Sequence, residues 1–107
     1  NYSREQFLND LVNEAGADIR QCLENGAHNV QIGFTEGRLS LKLDRSSKLL
    51  KSFIDLDNRV LERFTAEEQQ KLGVHSCSSG EQSSKHSADV DYARLLPVLF
   101  ELNVGNF

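Results

Sequence analysis

The stretch "LGVHSCSSGEQSSKHSADVDYARLLPVLFEL", residues 72–102, contains three successive patterns. A brief apolar run at its start indicates a strand, and the Ser-rich residues 78–87 predict a loop. Apolar residues at helical spacing follow from Ala88 or Asp89, and Pro97 predicts a kink or a local break in this helix because its ring removes a backbone donor. A strand, a loop and a helix in that order predict a β/α unit.

A similar order of patterns occurs earlier in the chain. Ser3 followed by Gln6 fits a capping box, and the apolar spacing after it predicts an amphipathic helix that ends near Gly26. "HNVQIG", residues 28–33, predicts a strand, and "FTEGR" after it predicts a loop. "LSLKL", residues 39–43, alternates apolar and polar residues, which predicts a short half-exposed strand or another extended segment.

The remaining segments continue the alternation. A second apolar stripe predicts a helix from Ser46 or Ser47 to Phe64, with its charged residues on the solvent-exposed face. "TAEE" opens a short third helix at Thr65, and "VGNF", residues 104–107, predicts the start of a further strand. Strands that alternate with helices favour an α/β fold of parallel β/α units, with each helix packed on a sheet or barrel.

Length and composition restrict the class of protein. A chain of 107 residues holds at most one small domain, and a net charge of −4 without a Lys/Arg-rich run argues against a nucleic-acid partner. There is no apolar run of about 20 residues and no signal-peptide pattern, so we expect no membrane partner. Cys22 and Cys77 lie far apart without a disulfide-scaffold pattern, which favours the cytoplasm. An apolar segment begins where the chain stops, and this predicts a fragment of a longer protein.

Loops at the carboxyl ends of parallel strands are where β/α proteins place their chemistry, and this puts Glu36, His75 and Cys77 on one face. Residues two apart in an extended chain point to the same side, so His75 and Cys77 can offer an imidazole nitrogen and a thiolate to one zinc ion. Two ligands do not complete a zinc site. The alternative interpretation is a strand-end histidine beside an ordinary small buried cysteine.

Glu36 and Arg38 in "FTEGRL" are a second candidate pair. The Glu36 carboxylate could bind the amino group of a small zwitterionic ligand, and the Arg38 guanidinium could bind its carboxylate. A surface ion pair, or a turn held by Gly37, explains the same residues equally well. Gly33 and Gly37 do not have the spacing of a nucleotide-binding loop, and the chain has no G-x-S-x-G hydrolase motif.

Three segments resemble the catalytic domain of the cobalamin-independent methionine synthase family: "GAHNVQIGFTEGRLSLKLD", "SFIDLDNRVLERF" and "GVHSCSSGEQSSKHSADVDYARLLPVLFELNVGNF". Together they cover nearly the whole chain. The resemblance implies that residues 1–107 are a single partial domain, about three β/α units of a (β/α)8 TIM barrel. It also implies an enzyme that moves a methyl group from 5-methyltetrahydrofolate to homocysteine and so makes methionine.

The resemblance implies further that His75 and Cys77 are zinc ligands, and that a glutamate and a second cysteine beyond Phe107 complete the site. Where the family usually carries an acidic residue for the substrate amino group, this chain has Gly33. Either Glu36 compensates as a substrate-binding residue, or the chain belongs to a related barrel methyltransferase with another thiol acceptor or a corrinoid methyl donor. A non-catalytic fragment is the third possibility, and the 107-residue chain alone is expected to be inactive.

Overall fold

The computed structural model describes residues 1–76 and 91–107. Five helices and two strands occur within them, and their order along the chain is α1 (Arg4–Glu24), β1 (Val30–Gly33), α2 (Thr35–Leu43), α3 (Lys48–Leu61), α4 (Ala66–Gln69), β2 (Leu72–His75) and α5 (Tyr92–Leu99). None of these helices combines the length and the apolarity that a membrane span requires.

Two helices begin at the capping boxes that the sequence predicts. At α1 the Ser3 hydroxyl accepts a hydrogen bond from the Gln6 N–H at 3.1 Å, and the Gln6 side chain accepts one from the Ser3 N–H at 2.7 Å. At α4 the Thr65 hydroxyl and the Glu68 carboxylate make the same exchange, at 3.1 and 2.9 Å. Each box satisfies backbone donors that a helix start otherwise leaves without a partner. α1 ends before Gly26, whose φ of 91° suits glycine.

β1 and β2 pair in parallel, with Val30 opposite Leu72 and Gly33 opposite His75. Residues 104–107, where a further strand is predicted, contribute an isolated parallel bridge between Asn106 and Gly73. The Val74 N–H donates to the Asn106 carbonyl oxygen at 3.0 Å. In the described residues the sheet therefore has two strands, and one bridge lies beside β2.

The core lies where the helices meet the two strands. α1 packs on α3, and α3 packs on α2 and α5. Five apolar side chains of the core have no exposed surface: Phe34, Leu50, Leu61, Leu72 and Leu95. Burying a side chain of this size contributes about 1.5–3 kcal/mol, so these contacts are the main source of stability.

The prediction of a TIM-barrel fragment is wrong. The described residues form a small helical domain with two parallel strands, which does not resemble a piece of such a barrel. The order of strands and helices led to the barrel interpretation, but order does not determine how many strands join one sheet. Here the helices pack largely on one another, and the two strands have four residues each.

The predicted strand at residues 39–43 is also wrong, because this segment is the second half of α2. Leu41 is buried, whereas Leu39 and Leu43 are 46% and 71% exposed. The Ser40 hydroxyl donates to the Gly37 carbonyl oxygen at 2.7 Å, as a helical turn permits. Alternation over five residues is too short to distinguish a strand from an amphipathic helix.

The last helix in the described residues is α5. α5 begins at Tyr92, and the Asp91 side chain accepts a hydrogen bond from the Ala93 N–H at 2.9 Å. Pro97 lies inside the helix, which ends two residues later at Leu99. The predicted start at Ala88 or Asp89 and the predicted loop at residues 78–87 lie outside the described residues.

Candidate functional site

The candidate site is the carboxyl edge of the two strands. β1 ends at Gly33 and β2 ends at His75, and these two residues are opposite each other in the register. α2 begins at Thr35, so its first turn, which contains Glu36, starts at the same edge. Parallel strands end on a common edge, and the structure thus places two of the three predicted site residues, Glu36 and His75, near one end of the sheet.

His75 is accessible at this edge. The three preceding residues of β2 are buried, and His75 is exposed. Its carbonyl oxygen accepts a hydrogen bond from the Phe34 N–H at 2.9 Å, which holds the backbone of the strand end while the imidazole stays open to solvent. These features are compatible with a ligand residue and with an ordinary strand-end histidine.

The described residues alone do not make a zinc site. Cys77, the predicted partner of His75, lies outside them. Within residues 1–76 and 91–107, no three His, Cys, Asp or Glu side chains lie together in a way that could hold a metal ion. The described part of the chain therefore supplies one of the predicted ligands.

A pair of hydroxyl groups lies next to His75. The Ser76 and Tyr92 hydroxyl oxygens are 3.4 Å apart, and either can donate. They connect the residue after β2 to the first residue of α5. The sequence contained no signal for this contact, because the two residues are 16 positions apart and belong to no motif.

Glu36 is exposed in the first turn of α2, where the partial positive charge of a helix start favours a carboxylate. Its negative charge acts on Asp57 of α3. Burial, together with the charge of Glu36, raises the pKa of Asp57 to about 6. Sequence reasoning assigned Asp57 to the solvent-exposed face of its helix, but the residue is only partly exposed.

The structure places Glu36 and Arg38, predicted as a pair that holds one small ligand, on different sides of α2. Because "FTEGR" is helical and not a loop, the two residues lie two positions apart on a helix and face different directions. Arg38 is 4% exposed, and Glu36 is exposed. The carboxylate can therefore meet a ligand from solvent, whereas the guanidinium belongs to the buried side of α2.

Two glycines shape this edge in different ways. A Cβ built at Gly33 would have no heavy atom within 4 Å, so a side chain would fit there. A Cβ at Gly37 would lie 2.5 Å from Cε1 of Phe34, a ring with no exposed surface. The absence of a side chain at Gly37 therefore lets the first turn of α2 approach the buried Phe34 ring. A turn held by Gly37 was one interpretation of the sequence, but here the glycine lies in a helix and makes room for the ring.

Comparison of the chain with family models, with curated proteins and with solved structures finds no match. Function must therefore be inferred from the residues at this edge and from the sequence resemblance. Glu36, His75 and the open position at Gly33 are the described features that bear on it.

Proposed function

We propose that the chain contributes part of a zinc site to a cytoplasmic enzyme that methylates homocysteine with 5-methyltetrahydrofolate. The observation that carries the proposal is an exposed histidine, His75, at the carboxyl end of β2, two residues before Cys77. The resemblance to cobalamin-independent methionine synthases supports it, because His75 and Cys77 match that family's His-x-Cys ligands. The helical domain differs from the barrel of that family, so the proposal depends on the residues and not on the fold.

The proposed roles follow from the chemistry of each group. His75 and Cys77 would supply one nitrogen and one sulfur ligand, and further ligands would come from outside this chain. Zinc bound there would lower the pKa of a coordinated acceptor thiol. Glu36, exposed near the same edge, would bind the ammonium group of the acceptor.

Cobalt titration tests the ligand pair, because Co²⁺ bound to a thiolate gives a charge-transfer absorption that zinc lacks. The chain offers a matched control, since its other cysteine, Cys22, is exposed on α1. The wild-type chain and Cys22→Ser should show the thiolate band, and Cys77→Ser should lose it. A band that disappears in Cys22→Ser and persists in Cys77→Ser would refute the proposal.

A related methyltransferase with another thiol acceptor is the second candidate, favoured by the open position at Gly33. Calorimetric titration with homocysteine and with its amine-free analogue, 4-mercaptobutyrate, separates the two. If Glu36 binds the amino group, homocysteine binds more tightly and Glu36→Gln removes the difference. If the acceptor lacks an amine, the wild type does not prefer homocysteine, and Gly33→Asp should create that preference.

A further inference from the structure

A shallow pocket lies between α1 and α3. It has a volume of about 230 Å³, and its described lining consists of Leu11, Val12, Ala15, Leu56, Asp57 and Val60. Five of these six side chains are apolar. Asp57 is the single charged residue in this described lining, so an apolar pocket contains one carboxylate.

The charged side chain that lines this pocket is a carboxylate. Glu36 on α2 adds a second carboxylate near Asp57, and no described cation lines the pocket. Withdrawal of the Asp57 carboxylate from water and the charge of Glu36 raise its pKa to about 6. At pH 7.5 the group is still mostly ionised, and a bound cation would offset the cost of that charge.

The adjacent pocket differs in the charges of its lining residues. It has a volume of about 260 Å³, shares Leu56 with the first, and also contains a carboxylate, Asp55. Arg4 and Arg59 line it as well, so positive charge is already present beside Asp55. A cationic ligand is therefore favoured by the Asp57 pocket and not by its neighbour.

From this apolar lining and its single carboxylate, we infer that the pocket binds a small primary alkylammonium ion. Its ammonium group would donate to Asp57 and its alkyl chain would cover Leu11 and Leu56. The volume is below the range of about 300–1,000 Å³ that is typical for drug-sized ligands, so a short alkyl chain is the suitable size. The inference requires neither zinc nor His75.

Three probes of similar size and different head group test the inference: n-hexylammonium, n-hexanol and hexanoate. Each is titrated into the ¹⁵N-labelled 107-residue chain at pH 7.5, and amide shifts are followed by NMR. Hexylammonium should bind with a Kd on the order of 1 mM and shift the amides of Leu11, Val12 and Val60. Hexanol should bind about tenfold more weakly, because it lacks the charge-assisted hydrogen bond, and hexanoate should not bind.

The variant Asp57→Asn should reduce hexylammonium binding to the level of hexanol. Asp55→Asn removes a carboxylate two residues away and should leave it unchanged. Equal binding of hexylammonium and hexanol to the wild type would overturn the inference, as would shifts confined to other parts of the chain or no binding at about 10 mM ligand.

Discussion

Gly33 and His75 lie opposite each other at the ends of β1 and β2, and the residue after Gly33 donates its N–H to the His75 carbonyl oxygen. The exposed His75 side chain is therefore next to Gly33 on the adjacent strand, where there is space for a side chain. A side chain added at Gly33 would enter the surroundings of His75. This relationship makes position 33 the place where the edge can be altered with little disturbance of the core.

The two glycines at this edge should respond oppositely to alanine. Gly37→Ala brings a Cβ within 2.5 Å of the buried Phe34 ring, so we expect a net loss on the order of 1–2 kcal/mol despite the better helix propensity of alanine. Gly33→Ala meets no atom within 4 Å and should be neutral or stabilising by up to about 1 kcal/mol. Urea unfolding of both variants measures the difference.

Phe34→Leu provides the control for that prediction. If the clash is with the ring, Gly37→Ala should cost less in the Phe34→Leu background, giving a coupling of about 0.5–2 kcal/mol. A Gly37→Ala variant that is as stable as the wild type would contradict the close contact between these two residues.

Asp57 should make stability depend on pH in the weakly acidic range. Its folded pKa of about 6 lies above the ordinary 3.8, so the native state holds the proton more tightly than the unfolded state. Its contribution to stability is therefore present at low pH and is lost as the pH rises from about 4 to about 6. After allowance for partial exposure, Asp57→Asn should be more stable than the wild type at pH 7 by about 1–2 kcal/mol.

The gain should disappear at pH 3.5, which chemical denaturation at a series of pH values tests directly. Asp55 is an exposed carboxylate on the same helix, so the variant Asp55→Asn controls for the change in net charge. If Asp57→Asn is less stable than the wild type at pH 7, the carboxylate has a stabilising partner and the proposed cost of its charge is wrong.

Glu68 should have the opposite pH signature. Hydrogen bonds from Arg20 and from the Thr65 N–H lower the pKa of Glu68 to about 2. Its stabilising contribution is therefore present above pH 4.5 and is lost as the pH falls towards about 2. Glu68→Gln keeps an amide oxygen for the capping box and removes the charge, so its Tm should be lower than that of the wild type at pH 6 and equal to it near pH 2.

Glu67→Gln is the matched control, since Glu67 is exposed in the same turn. Thermal melts followed by circular dichroism over this pH range suffice. A Tm difference between Glu68→Gln and the wild type that does not change with pH would mean that the ion pair with Arg20 contributes nothing to stability.

The core should be sensitive at Leu50, which has no exposed surface on α3. Leu50→Ala removes buried methyl groups and leaves a cavity, so we expect a loss of about 2–5 kcal/mol in urea unfolding. Leu43→Ala, at a residue that is 71% exposed, should change stability by less than about 0.5 kcal/mol. Similar losses at both positions would contradict the arrangement of the helices around this core.

Features that depend on a few neighbouring residues could be predicted from the sequence. The capping boxes at Ser3 and Thr65 are present because their partners lie three residues away, and both strands form where short apolar runs occur. The number of strands in the sheet depends on contacts between distant segments, so the barrel prediction failed.

At the candidate site, too, some features could be predicted from the sequence and others depend on packing between distant segments. The order of elements placed Glu36 and His75 at one edge, because parallel strands end together. The partial burial of Asp57 and the contact of Ser76 with Tyr92 arise from packing between elements, which no local pattern records. Glu36 and Arg38 lie on different sides of α2 because the segment predicted as a loop is helical, and a helix turn presents neighbouring side chains differently from a loop.

The most direct test of the proposed function is the Zn²⁺ affinity of His75→Ala relative to His28→Ala, measured by competition with a chromophoric chelator. His28 is an exposed histidine just before β1, and its removal should leave the affinity unchanged. Loss of His75 should weaken zinc binding by about tenfold or more, because it removes one of the two ligands proposed in this chain. Equal affinities for the wild type and both variants would show that His75 is not a zinc ligand and would contradict the proposed function.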